Sequence, residues 1–405
     1  MKNLLITIIS ECHSDNLGDK AITISLGNIL RPFYDVKETS FSNISAHEAE
    51  ATSSPTKSRK SILRQVLKSI PAKTKARIRW NILNDKRKFD GHYRAPIYQS
   101  DLIIVGGGQL LKNNVALFCE KLSLVSKIAN TQSIPTALIG VGVDKKMIPQ
   151  TWRIVKKAID TAKFIVLRDA KSSDRICAAM GCQKNFSILP DLAFALKNPG
   201  LDPEISDRSI SLAINIMDFS SMLDPLETSS KIEANTLISG FCDIVKVAHD
   251  TGSSICLFTS GSSSDLLAAN IVRMEISARL GVELPIFHPS TVDDLLAFLI
   301  DVDDVVATRM HAGILAFISG CNPVCVNWDD KVAGVWLAIH QQERVIEIEE
   351  IFRDDFGANL LMKLNNLTPA SCKSLDDLAE KVRSGVLEPI GRTLRDDLVP
   401  KRLKA

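Results

Sequence analysis

The sequence predicts an α/β protein of two Rossmann-like, doubly wound domains facing across a cleft, and three observations predict it. Short apolar runs of strand length alternate with longer segments of helical periodicity, the pattern left by parallel sheets with crossover helices. At 405 residues the chain is too long for one ordinary core. A cluster of Pro, Gly and Asp at 196–208 (LKNPGLDPEISDR) interrupts the alternation and divides it into halves.

The first half offers strands at 4–10 (LLITIIS), 101–107 (DLIIVGG), 135–143 (PTALIGVGV), 164–169 (FIVLRD) and 186–191 (FSILPD). The second offers 209–215 (SISLAIN), 253–260 (SSICLFTS), 305–308 (VVAT) and 322–328 (NPVCVNW). Helical periodicity marks Asp19–Leu30, Trp152–Ala162, Ala234–Thr251, Leu266–Leu280 and Thr291–Ile300. The expected domains are therefore 1–200, carrying an insertion at 44–95, and 205–365, followed by a helical tail at 366–405. The tail reads as helix over Leu375–Leu394 and is expected to pack back onto the first domain.

The apolar run after Met1-Lys2-Asn3 is about seven residues long and leads into polar sequence without a small-residue cleavage site. It reads as a buried first strand, and no apolar stretch approaches the roughly 20 residues that span a bilayer. A cytoplasmic protein is expected. Lys and Arg number 49 against 47 Asp and Glu, a net charge of +2, which argues against wholesale nucleic-acid binding. The nine cysteines include two close pairs, Cys177/Cys182 and Cys321/Cys325, but neither has a second pair at zinc-site spacing. Reduced, buried thiols and no metal are expected.

The insertion becomes strongly basic between Lys57 and Lys88, with Ile62, Leu63, Val66, Leu67 and Ile70 at helical spacing. It reads either as a solvated insertion or as a basic amphipathic helix resting on an anionic membrane or polyanionic acceptor.

Four motifs can carry chemistry. Asn16-Leu17-Gly18-Asp19 follows the first strand, where Gly18 permits a tight turn and the next helix offers unpaired N–H groups to an anion. Asp19 either caps that helix or binds ligand. Gly106-Gly107-Gly108 closes another strand, letting backbone approach a ligand, without the spacing of a dinucleotide loop or a P-loop. Arg168, at the end of FIVL, is placed to fork onto a carboxylate or phosphate, or to pair with Asp169; Pro190-Asp191 ends a neighbouring strand. Most informative is Thr308-Arg309-Met310-His311-Ala312-Gly313, where an apolar strand runs into an arginine and a titratable imidazole. Lys331, at the end of the following strand, either touches an anion or is solvated.

Taken in order, NLGDKAI (16–22), GGG (106–108), VLRDAKS (166–172), PDLAF (190–194) and TRMHAGILAFISGCNPV with DDKV (308–324 and 329–332) resemble the polysaccharide pyruvyl transferases. The resemblance spans about 1–340 and leaves out 44–95 and the tail. Val166 stands where the family often has Ser or Thr. The resemblance implies a GT-B-like pair of Rossmann domains and ketal pyruvylation of a cell-surface sugar, with phosphoenolpyruvate as donor substrate and no cofactor. It implies Arg168, Arg309 and His311 as catalytic residues at the donor site.

In that reading the two arginines clamp the donor and His311, whose side-chain type titrates closest to neutral pH, is the acid/base. Asn16, Gly18, Asp19, Gly107, Gly108, Asp191 and Lys331 then belong to substrate binding. The acceptor is a nucleotide-, lipid- or polymer-linked sugar, with peripheral membrane contact through 57–88. The alternatives are a nucleotide-sugar glycosyltransferase and a non-catalytic scaffold of an envelope-polymer assembly.

Overall fold

The structure, a computed structural model, describes residues 4–41, 76–78, 80–81, 85–113, 117–181, 186–198, 208–223 and 234–402, with side chains to residue 396. Most of the basic stretch, including Lys57, Arg59, Lys60, Arg64, Lys68, Lys73, Lys75 and the apolar set Ile62 to Ile70, lies outside the described residues.

In chain order the first half runs β1 (Leu5–Ser10), α1 (Leu17–Leu30), β2 (Asp35–Ser40), α2 (Asp85–Tyr98), β3 (Leu102–Gly106) and α3 (Phe118–Thr131). It continues through β4 (Thr136–Val141), α4 (Pro149–Thr161), β5 (Ile165–Leu167), α5 (Ala170–Met180) and β6 (Ser187–Ile188). All pairings are parallel, in the order β2-β1-β3-β4-β5-β6. Every residue of β3 and β4 is buried, because helices cover both faces and the strands can be apolar throughout. Ile103, Val105, Leu138 and Val141 form one core with Leu122 and Val125 of α3 and Val155 of α4, each fully buried side chain contributing about 1.5–3 kcal/mol.

The second half runs β7 (Ile210–Asn215), α6 (Ala234–Asp250), β8 (Ile255–Phe258), α7 (Ser263–Leu280), β9 (Ile286–Phe287) and α8 (Val292–Ile300). Then follow β10 (Val302–Ala307), α9 (Met310–Ile318), β11 (Asn322–Asn327), α10 (Asp330–Ala338), β12 (Val345–Glu347), α11 (Phe356–Asn366) and α12 (Cys372–Arg402). Its parallel sheet has the order β12-β11-β10-β7-β8-β9. The chain moves outward from β7 to β9, returns to lay β10 on the other side of β7, and so reverses strand order between β7 and β10. Helix α9 lies tight on this sheet: any Cβ at Gly313 would run into Cys325 Sγ.

Two compact units result, each a doubly wound parallel sheet. One comprises Met1–Ser14, Leu26–Leu189 and Ser384–Ala405, the other Asp15–Ser25 and Pro190–Arg383. The expected boundary at about 200 falls instead at Leu189–Pro190, and residues 15–25 group with the second unit. The physical cause is packing: Phe194 meets Phe317 and Trp336 edge-on, and Asn198 Nδ2 donates to Leu296 O and Ser319 Oγ. The tail is one helix, with Val382, Val386 and Ile390 buried.

Cys12, Cys119, Cys177, Cys242, Cys256, Cys321, Cys325 and Cys372 are free thiols. Burial pushes Cys119, Cys321 and Cys325 up to about 12 and Cys12 and Cys256 up to about 11. In the first unit Lys121 is buried with its ammonium 4.5 Å from the centre of the Phe89 ring, and desolvation lowers it to about 8. Among the described residues no three His, Cys, Asp or Glu side chains gather at metal-binding distance, and no helix is long and apolar enough to cross a membrane.

Candidate active site

In open parallel sheets, ligands bind beyond the carboxyl ends of the strands where strand order reverses. In the second unit that point lies between β7 and β10, and the residues leaving both strands are polar and tightly tied. Asn215, the last residue of β7, is fully buried. Its Oδ1 accepts from Arg309 N at 2.9 Å, and its carbonyl accepts from Thr308 Oγ1 at 2.7 Å. Trp328 Nε1 donates to Thr308 O at 2.6 Å, so the turn from β10 into α9 is held from both sides.

Arg309 occupies the N-cap position of α9, with extended backbone (φ −91°, ψ 126°). Its Nε and Nη2 donate to the two carboxylate oxygens of Asp265 at 2.8 and 2.6 Å. Asp265 is fully buried in the first turn of α7 and also accepts from Asp218 N at 2.9 Å. One edge of the guanidinium is thus spent on a buried bidentate ion pair, which fixes the group's plane and leaves Nη1 on the other side. Asn215 and Asp265 were not singled out from sequence; an acid in the first turn of a helix reads there as a dipole partner.

His311, in the first turn of α9, is 8% exposed. Its Nε2 lies 3.6 Å from Asp191 Oδ2, while Asp191 Oδ1 accepts from Ala193 N at 3.0 Å and starts the 3-10 turn Leu192–Ala195. Gly18 lies against the root of the His311 side chain, at Cβ, Cγ and Nδ1. A Cβ built there would come within 2.5 Å of His311 Cβ and Nδ1, so only glycine leaves room for the ring. Gly18 is itself held by its neighbours: its N–H donates to Asn16 Oδ1, Leu17 N donates to Ser260 O, and Asn16 Nδ2 reaches Asp19 Oδ2 at 3.4 Å. The structure therefore brings Asn16, Gly18, Asp19, Asp191, Arg309 and His311 into one unit. By helix geometry the N–H groups of Met310, His311 and Ala312 lack intrahelical acceptors, which makes this helix end a favourable place for an anion.

Lys331 belongs to the same unit but is engaged locally. Its Nζ lies 4.4 Å above the Trp328 ring and 3.6 Å from Asp329 Oδ2, at the head of α10.

Arg168, Gly107 and Gly108 belong to the first unit. Arg168 is 2% exposed at the end of β5, with Nε 3.6 Å from Asp169 Oδ2. Its guanidinium lies over Gly142, where a Cβ would approach Nε to 2.6 Å. Asp169 caps α5, accepting from Ser172 N at 2.7 Å and Ser172 Oγ at 3.0 Å. Gly107 and Gly108 take φ of 86° and 73°, which side chains resist, and continue the β3–β4 contact through Gly107 N to Ile139 O and Gly142 N to Gly108 O.

The sequence model of the polysaccharide pyruvyl transferase family matches residues 16–330. The chain belongs to that family. The match runs from Asn16 to Asp330 and so takes in Gly18, Asp191, Arg309 and His311. A search of curated proteins finds no match by sequence. Solved structures share the fold at low identity. The Anabaena protein HepE in complex with UDP and glucose superposes with a TM-score of 0.53 at 11% identity, covering 97% of this chain and 100% of that one. UDP-GlcNAc 2-epimerase from Neisseria meningitidis, bound to UDP-GlcNAc, gives 0.52 at 8%, covering 96% and 100%. The Methanocaldococcus jannaschii UDP-GlcNAc 2-epimerase gives 0.51 at 10%, covering 94% and 99%. This pyruvyl transferase family member thus has a GT-B-like fold of two parallel six-stranded sheets with flanking helices.

Proposed function

We propose that the protein transfers pyruvate from phosphoenolpyruvate onto two hydroxyls of a sugar as a ketal, releasing phosphate, in cell-surface polysaccharide biosynthesis. The observation that carries this reading is the His311–Asp191 pair, seated against Gly18 beside Arg309 at the strand-order reversal, in a chain of this family. Donor anions are assigned to Arg309 Nη1 and the N-terminus of α9, with Arg168 as a second donor cation. Protonation at C3 of the enol ester makes C2 electrophilic. One sugar hydroxyl adds to C2, the C2–O bond to phosphate breaks, and the second hydroxyl closes the ketal. One hydroxyl proton is accounted for in the new methyl group and the other leaves with phosphate.

His311 is the acid/base that moves these protons, and Asp191, 3.6 Å from its Nε2, fixes its orientation. Asp19 and Asn16 are the acceptor-binding groups, reaching a nucleotide-, lipid- or polymer-linked sugar in the cytoplasm. The basic run 57–88 supports a peripheral position at the inner membrane face. No resident cofactor is invoked: developing charge on the phosphate is assigned to the arginine and the helix end.

The test is incubation of the purified protein with phosphoenolpyruvate and a panel of nucleotide sugars and sugar lipids, with phosphate release and product mass recorded together. Acceptor-dependent phosphate and a product heavier by a pyruvyl ketal are expected. Stabilisation by a nucleotide sugar without any response to phosphoenolpyruvate would move the reading to a glycosyltransferase.

A further inference from the structure

The outer surface of α3 and α4 carries an arrangement that the proposed reaction does not use. A cavity of about 440 Å³ opens there, lined by Trp80, Glu120, Leu124 and Ile154 and by four cations, Arg77, Lys86, Lys127 and Arg153. Glu120 is the acid facing them, and it takes Arg77, with Nε 3.4 Å from Oε1, while Arg77 Nη1 also reaches Gln150. Lys86, Lys127 and Arg153 are exposed, and among the described residues no acid within ion-pair distance of Lys127 or Arg153 is found.

On the other side of α4 a second cavity of about 440 Å³ shares Arg153 and is otherwise mostly apolar, with Met147, Pro149, Trp152 and Met180 in its lining and Lys156 at its rim. Lys156 pairs with Asp160 at the surface. Between the two cavities the chain enters α4 through Ile148, a large apolar residue 37% exposed at the N-cap position, where a polar side chain would cap the helix. Lys145 and Lys146 precede it, both exposed.

Exposed Ile148 and the half-buried Met147, Trp152 and Met180, interleaved with cations over a surface whose acids Glu120, Asp144 and Asp160 are engaged, fit one partner chemistry. We infer that this α3–α4 face of the first unit docks on an anionic lipid bilayer, with Met147, Ile148 and the rim of Trp152 entering the headgroup boundary. Lys127 and Arg153 face lipid phosphates on either side. A soluble polyanion would use the cations and gain nothing from Ile148. The surface meets the basic run 57–88 at Arg77 and Lys86, but Lys127, Ile148 and Arg153, on which the inference rests, lie outside that run.

The test is co-sedimentation of the full-length protein with vesicles of phosphatidylcholine alone or mixed with phosphatidylglycerol. Binding to the mixed vesicles, weakened by salt and absent for the neutral ones, is expected. Lys127→Gln with Arg153→Gln should weaken it about fivefold per cation. Ile148→Ser should weaken it severalfold while raising Tm, because serine supplies the missing helix cap; loss of binding and gain of stability together exclude a folding defect. Lys246→Gln with Arg279→Gln, which removes the same charge from the second unit, should leave it unchanged. Wild-type binding in the α3–α4 variants, an equal loss in the second-unit control, or indifference to Ile148→Ser, which would mark a soluble polyanion as the partner, overturns the inference.

Discussion

Each unit of the chain seats one side chain against a glycine, and the two seats differ in what they grip. In the second unit Gly18 touches His311 at the root of its ring, at Cβ, Cγ and Nδ1. In the first unit Gly142 touches Arg168 at its far end, at Nε, Cζ and Nη2. A side chain blocked at its Cβ cannot escape by any torsion of its own, so backbone must shift, whereas one blocked at its tip has torsions with which to adapt. The same device therefore fixes an imidazole rigidly and an arginine only by the burial around it. The charges differ as well: Arg309 has the buried Asp265 in a two-bond fork, while Arg168 has Asp169 at 3.6 Å, a carboxylate already occupied by Ser172.

The largest effect that would break this comparison is at the imidazole itself. His311→Ala should lower kcat by about 10²–10⁴-fold, the usual worth of a positioned acid/base, with the fold retained by circular dichroism. An unchanged kcat would remove the histidine from the mechanism. Next, Asp265→Ala should cost about 3–5 kcal/mol in urea unfolding, since it strands a guanidinium whose partner was buried.

A third test concerns Lys121, buried in the first unit with its ammonium over the Phe89 ring. Its folded-state value, lowered from 10.5 to about 8, means that the unfolded chain binds the extra proton between those limits. The resulting destabilisation is complete below pH 8 and is relieved as pH rises to 10.5. Relative to Lys121→Met, the wild type should therefore gain up to about 3 kcal/mol across that window, whatever the offset between the two proteins at neutral pH. The comparison must be differential, because the raised thiols pull the other way above pH 9.

Gly18→Ala should lower kcat about 10²-fold and lower Tm as well, because the added Cβ meets His311 Cβ, which no side-chain rotation can move. Gly142→Ala should have the smallest effect, about tenfold or less on KM for phosphoenolpyruvate, because the arginine tip can shift. Equal losses from the two glycine variants would mean that the seats are equivalent.

Much of this was legible because buried parallel strands are apolar throughout and end abruptly. LLITIIS, DLIIVGG, PTALIGVGV and VVAT each correspond to a strand, and the residues after them stand at carboxyl ends. Three edge strands were not legible. β2 is DVKETS, largely exposed, and β9 and β12 are two and three residues long, too short to leave a period. Within the site, Arg309 and His311 stood out because they interrupt apolar sequence. Asn215 and Asp265 did not, because their contacts join residues 94 and 44 positions apart and no local pattern encodes such pairs. Lys331 was read as solvated or anion-binding, and the ring of Trp328 supplied a third answer.

The buried thiols have a practical consequence. Alkylating reagents attack thiolate, and at neutral pH Cys119 in the first unit and Cys321 and Cys325 in the second are protonated as well as enclosed. Each becomes reactive only while its surroundings are open. Peptide-resolved labelling with iodoacetamide would therefore time the opening of the two sheets separately within one chain, with no probe introduced and no residue of the site disturbed.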